Sequence, residues 1–270
     1  MAEWCQVDPL RVSLPGGPHI TLAVVPQPLV RQAWESNPQG TLATVLTQAE
    51  LAVSGMHRMP ERRVAHLAGR VAAKSALLHQ LQLGGVPLAA HDLGLCQIMA
   101  GPEQGRPMAQ LPPGCPACDV SITHSHELAV ASTTEGGRVG VDLERVRPRG
   151  PGFLEDVFTA AEQDWLMHCQ RLHGRTPDEL WSLGWCIKEA MVKCTGHGLR
   201  DSLLQVGFSR WTEQGVVPAA IPWLTDVPEA FSRLITLHPT RPAGGTVTGL
   251  IALGRGYALA VLHAAEAASA

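Results

Sequence analysis

An internal echo constrains this chain more than any other feature. Leu46-Thr47-Gln48-Ala49-Glu50 resembles Phe158-Thr159-Ala160-Ala161-Glu162, and Lys74-Ser75-Ala76 resembles Lys188-Glu189-Ala190, at offsets of 112 and 114 residues. Each copy opens with a threonine three positions before a glutamate, the pattern of a helix-opening capping box. A strand precedes each copy. Two ordered copies of the same unit imply two similar lobes packed in tandem. The expected fold is therefore α/β (α+β), with a small sheet against a long helix in each lobe and the active site in the cleft between them. The expected lobes are residues 1–137, beginning with an irregular arm over 1–18, and residues 138–270.

The element pattern fills in this frame. His19 to Val25 is apolar enough for a strand, and Pro26 and Pro28 end it. Thr47 opens a short helix to about Met56, and Pro60 suits the first turn of a longer one to about Leu81. His91 to Met99 reads as a moderate strand, Gly101 to Gly114 as turns, and Asp119 to Thr133 as a strand pair or one bent strand. After the Glu135-Gly136-Gly137 turn comes a strand over Arg138–Arg145. Thr159 and Thr176 open two further helices, the second stopping at Gly196. Strands are expected near Leu204–Trp211, Val247–Gly254 and Tyr257–His263, while the Pro-rich 215–246 stretch has no assigned role.

The copies differ in chemistry. In Val139-Gly140-Val141-Asp142-Leu143-Glu144 the apolar and polar residues alternate, the period of a half-buried strand, so Asp142 and Glu144 share one face. Two acids side by side repel each other and suit a shared hard cation. On the later helix Trp185, Glu189 and Lys193 stack at four-residue spacing, which offers a third carboxylate and a lysine. The plain alternatives are surface acids on a strand and a Glu189–Lys193 helix pair. In the first copy Ser75 stands where Glu189 stands, and Ile20 to Val25 carries no carboxylate, so one metal site is expected.

Other groups admit two readings. Thr123-His124-Ser125-His126 supplies hydroxyls and imidazoles for phosphate oxygens, or is a polar strand end. Cys115 and Cys118 with His124 and His126 have the ligand types of zinc, but the short spacing departs from the usual finger. Arg62, His66 and Arg70 lie at four-residue spacing with Arg63 and Lys74 adjoining: a solvated basic face, or a clamp for a phosphate remote from the reacting one. Glu162 is most simply a capping acid. Asp201-Ser202-Leu203 matches, by chance, the sequence around the modified serine of carrier proteins.

Composition narrows the class. The 270 residues are 45% hydrophobic and 17% charged, enough for one large domain or two small ones. A net charge of −3 sets up no field for nucleic acid. No apolar run approaches a membrane span, and the first residues lack the pattern of a signal peptide. Seven cysteines without regular spacing point to a reduced, cytoplasmic setting.

In this order, Gly105-Arg106-Pro107, Ser121-Ile122-Thr123-His124-Ser125, Val139 to Glu144, Phe158 to Glu162, Trp185 to Lys193, Gly196-x-Gly198-Leu199 and the closing Gly256 to Val261 resemble the 4′-phosphopantetheinyl transferases of the surfactin type. The resemblance implies Mg²⁺-dependent transfer of phosphopantetheine from coenzyme A to a serine of an apo acyl or peptidyl carrier protein, with release of adenosine 3′,5′-bisphosphate. Asp142, Glu144 and Glu189 would hold the metal. Glu189 would help deprotonate the serine, and Lys193 would neutralise charge on the leaving phosphate. Thr123, His124 and Arg106 would contact coenzyme A phosphates, and Arg62, Arg63 and Arg70 its 3′-phosphate. Thr123 stands where that family commonly has serine, and His126 where it often has a small residue. The two-lobed repeat implies a monomer. The rival readings are a non-catalytic module that binds carriers or nucleotides, and a metal-dependent phosphodiesterase.

Overall fold

The structure is a computed structural model, and it describes residues 8–37, 40–196, 203–217, 221, 223–225, 227, 230–240 and 245–265. Gly198-Leu199 and Asp201-Ser202 lie outside the described residues. The chain divides into two compact units, Met1–Val12 with Pro18–Gly136 and Ser13–Gly17 with Gly137–Ala270.

The first unit runs β1 (Leu10–Ser13), β2 (His19–Pro26), α1 (Gln27–Ser36), α2 (Gln48–Gly55), α3 (Pro60–Leu83), β3 (Gly94–Gln97), β4 (Pro107–Gln110), β5 (Cys118–Ser125) and β6 (Leu128–Glu135). Its main sheet has the order β1-β2-β6-β5, and β3 and β4 form a separate pair. Helix α3 lies on β2, β5 and β6. Ala68, Ala72, Ala73 and Ala76 give it a small-residue surface, while Leu67, Val71, Leu77 and Leu81 fill the core. Helix α3 is buried on most of its circumference, as expected for a helix at the centre of a unit.

The second unit runs β7 (Arg138–Arg145), α4 (Phe153–Val157), α5 (Ala160–His173), α6 (Pro177–Thr195), β8 (Phe208–Gly215), β9 (Phe231–Pro239), β10 (Val247–Gly254) and β11 (Tyr257–Ala264). Its five strands are antiparallel in the order β7-β11-β10-β9-β8. Helix α6 packs on β7, β10 and β11. It opens at a Thr176–Glu179 capping box with Pro177 in its first turn and closes at Gly196, whose φ of 78° is left-handed. Each unit is thus a sheet against a long helix.

The sequence echo is an atomic repeat. Glu50 accepts from the Thr47 amide at 2.8 Å, pairs with Lys74 at 2.7 Å and accepts from the Leu95 amide at 3.1 Å. Glu162 accepts from the Thr159 amide at 2.8 Å, pairs with Lys188 at 2.8 Å and accepts from the Phe208 amide at 3.2 Å. Each lysine also donates to the carbonyl of the valine two residues before its threonine, Val45 or Val157. Lys74 is therefore fully buried and is no part of a basic outer face. Glu162 does more than cap a helix.

Several elements depart from the sequence expectation. Pro28 does not simply end a strand. It occupies the first turn of α1, where the missing amide hydrogen is not needed. The arm holds β1, the 101–114 turns hold β4, and the Pro-rich stretch supplies β9, which lies between β10 and the edge strand β8 of the second sheet. The 119–133 region is a strand pair, turning at His126 with φ 49°.

Candidate functional site

Strand β7 is buried on both faces. Val139, Val141 and Leu143 are closed off on one side, and the Gly140, Asp142 and Glu144 side faces α6. Gly140 sets the spacing. A Cβ there would lie 1.9 Å from the Ala190 carbonyl oxygen and 2.7 Å from the Cys194 nitrogen. Only glycine lets the strand come this close to the helix, and that approach brings Asp142 and Glu144 to Glu189 and Lys193.

Lys193 Nζ donates to Asp142 Oδ1 at 2.8 Å and to the Val141 carbonyl at 2.9 Å. The lysine thus reaches the strand acid across the interface. Burial first, and then the Asp142 charge, pushes the Glu189 carboxyl above its ordinary pKa, against the pull of Lys193. Burial and Asp142 likewise raise Glu144, opposed by Arg149, Arg147 and Lys193. Arg149 was not anticipated from the sequence. It stacks over Phe153 at 4.9 Å and Trp185 at 5.7 Å, so the aromatic residue on the Glu189 face positions a cation for Glu144. Cys186, wholly buried beneath the acids, donates to the Ala258 carbonyl, and burial pushes its thiol well up, which makes it a poor nucleophile.

Three carboxylates gathered in one half-buried place, two of them with raised pKa values, are the donor types a hard divalent cation takes. Among the described residues no group of three or more His, Cys, Asp or Glu is placed so that it could hold a metal ion by itself. Mg²⁺ does not require one. It binds through one or two carboxylates and keeps waters and phosphate oxygens for its other positions. The chemistry of these acids, taken one or two at a time, is that of ligands to such an ion. Cys115 and Cys118 with His124 and His126 form no such cluster either, and the Cys118 thiol is pushed up to about 12 by burial, opposite to a zinc thiolate.

The first unit holds a cavity of about 370 Å³ lined by His57, Arg62, His66, Arg70, Gln97 and His124, with Gly69, Gly105, Pro107 and Ile122 among its walls. Helix α3 supplies Arg62, His66 and Arg70 from successive turns, and β5 supplies His124. Among the described residues no carboxylate lines it. Arg70 is only 8% exposed, and its guanidinium is brought down by burial but held up by Glu50 and Cys96. Such a cavity suits a phosphate group.

Other candidate phosphate contacts lie outside its lining. Arg63 donates to the His57 carbonyl at 2.8 Å and stacks on Trp34. Arg106 pairs with Asp119 at 2.5 Å, although its neighbours Gly105 and Pro107 are in the wall. Thr123 is buried on β5 between two lining residues, Ile122 and His124. Sequence spacing missed His57 and Gln97, which come from outside α3; His66 was visible with Arg62 and Arg70 as part of a basic face or a phosphate clamp.

Residues 138–260 match the model of the 4′-phosphopantetheinyl transferase superfamily. The chain is 38% identical over 94 residues to an L-aminoadipate-semialdehyde dehydrogenase-phosphopantetheinyl transferase of Eremothecium gossypii, covering 33% of each chain. It is 26% identical over 163 residues to a putative 4′-phosphopantetheinyl transferase of Synechocystis sp., covering 60% of this chain and 61% of that one. With a 4′-phosphopantetheinyl transferase of Bacillus subtilis it shares 27% identity over 157 residues, covering 58% and 62%. The chain spans less than two thirds of each of these relatives.

Proposed function

We infer that this chain, a member of the 4′-phosphopantetheinyl transferase superfamily through its residues 138–260, is a two-lobed enzyme of the surfactin type that moves phosphopantetheine from coenzyme A to a serine of an apo carrier protein. The observation that carries this reading is the close approach of β7 to α6, which gathers Asp142, Glu144, Glu189 and Lys193.

The serine oxygen attacks the phosphorus nearer the pantetheine. The bridging P–O bond breaks, and adenosine 3′,5′-bisphosphate leaves with the electron pair. A serine hydroxyl is a weak nucleophile and the diester is anionic, so positioning and charge neutralisation supply most of the rate. Asp142, Glu144 and Glu189 would hold Mg²⁺, which when bound neutralises phosphate oxygens. Glu189 accepts the serine proton, directly or through a water. Lys193 supplies positive charge as the leaving phosphate gains electrons. Arg62, Arg70 and His124 would hold a phosphate of coenzyme A in the first unit's cavity, with the 3′-phosphate the assigned group for the arginines.

Intact-mass spectrometry of an apo carrier incubated with the chain, coenzyme A and Mg²⁺ tests this. A gain of one phosphopantetheine, lost with chelator and in Asp142→Asn or Glu189→Gln, is expected. Coenzyme A bound but unconsumed would make the chain a binding module, and coenzyme A cleaved without carrier modification would make it a phosphodiesterase.

A further inference from the structure

We propose that His57 and His66 are further ligands of the anion taken into the first unit's cavity, and that the cavity takes up about one proton with each such anion. The proposal rests on reading this cavity as a phosphate site.

The two imidazoles lie with ring centroids 4.8 Å apart, tilted by 53°. The Nε2 atoms of both are buried and have no hydrogen-bond partner among the described residues, and neither has Arg70 Nε. Buried polar nitrogens are ordinarily paired. Three left over around one cavity point to a partner that enters it. An anion with several acceptor oxygens meets that need, and a neutral ligand would leave the arginines uncompensated.

The groups around His66 fix the sign of the proton linkage. Arg62 and Arg70 come from its own helix, His57 from the segment before it, and His124 from β5. Glu50 and Cys96 act on Arg70, and no carboxylate among the described residues lines the cavity. Burial first, then Arg70, His57 and His124, bring the empty-cavity His66 down to about 4. It is therefore neutral near pH 7. An incoming dianion replaces repulsion with attraction. At contact distance one unit charge changes proton affinity on the order of a thousandfold in a half-buried site. The loaded cavity then holds imidazolium, and affinity for the anion rises about tenfold for each unit of pH lost between the empty and loaded pKa values.

Isothermal titration of the full chain with sulfate, whose own charge is constant across this range, tests the idea. Near pH 6, titrations in buffers of differing ionisation heat are expected to report uptake of about one proton per anion. The same titrations of His66→Gln should show binding without uptake and without the pH slope. An NMR titration should place the His66 ring near 4 without sulfate and well above that with it. Binding by the wild type with no uptake, or unchanged uptake in a folded His66→Gln, would overturn the histidine assignment alone. Failure of both sulfate and coenzyme A to bind at any pH would overturn the phosphate reading and this proposal with it.

Discussion

Lys188 Nζ lies 2.8 Å from Glu162 Oε2, and both side chains are wholly closed to solvent. The lysine also donates to the Val157 and Leu203 carbonyls at 2.6 and 2.8 Å. A buried ion pair gains little over an apolar pair, but half of one is costly. Lys188→Met should therefore lose about 3–5 kcal/mol of stability in urea denaturation. The double variant Glu162→Gln/Lys188→Met should recover much of it, because no charge is then stranded. Equal losses in single and double variants would show that the lysine's carbonyl contacts, and not the pair, hold the helix. Lys74→Met, in the matching position of the first unit, should behave as Lys188→Met does.

Glu189 supplies a case where site and stability oppose each other. Its folded pKa is raised, so its stabilising contribution is present below the unfolded value and is lost as pH rises through the folded one. Once ionised, the carboxylate is a liability to the metal-free fold. Glu189→Gln keeps the shape and removes the charge. Its expected result is a higher melting temperature without metal together with loss of turnover. A lower melting temperature would mean that the carboxylate holds the fold together.

The echo of Thr-x-x-Glu and a later lysine was legible because both capping and helix spacing are local. It foretold two sheet-on-helix units, while strand alternation set Asp142 and Glu144 on one face and four-residue spacing set Glu189 and Lys193 on another. The destinations of long cationic side chains were not legible. Arg62, Arg63 and Arg70 look alike on a helix, yet Arg63 turns to Trp34 and the His57 carbonyl while the other two line the cavity. Arg106 is taken by Asp119, thirteen residues on, through the strand layout. Strand β9 escaped notice because its flanking prolines mask a run that only its partners β8 and β10 make a strand.

His66 makes a second pH prediction that needs no ligand. Its folded pKa of about 4 lies below the unfolded value near 6.5. Between these values the unfolded chain binds the extra proton, so His66's contribution is present above the unfolded pKa and is lost as pH falls toward the folded one. Denaturation midpoints across this window should fall with acid in the wild type and fall less steeply in His66→Gln. An identical slope in the variant would assign the acid sensitivity to other groups.

Lys193 separates two roles that a simple loss of activity would merge. It holds Asp142 Oδ1 at 2.8 Å with its side chain 30% exposed, and it lowers the pKa of both Glu144 and Glu189. On the proposed reading the lysine and Mg²⁺ compete for one carboxylate. Lys193→Met removes the competitor and leaves the three acids more negative. Mg²⁺ or Mn²⁺ should then bind up to about tenfold more tightly, while turnover falls on the order of a hundredfold or more because the leaving phosphate has lost its cation. Metal titration beside carrier modification reads both quantities. Weaker metal binding in a folded Lys193→Met protein would mean that the lysine orients Asp142 for the metal and does not compete with it.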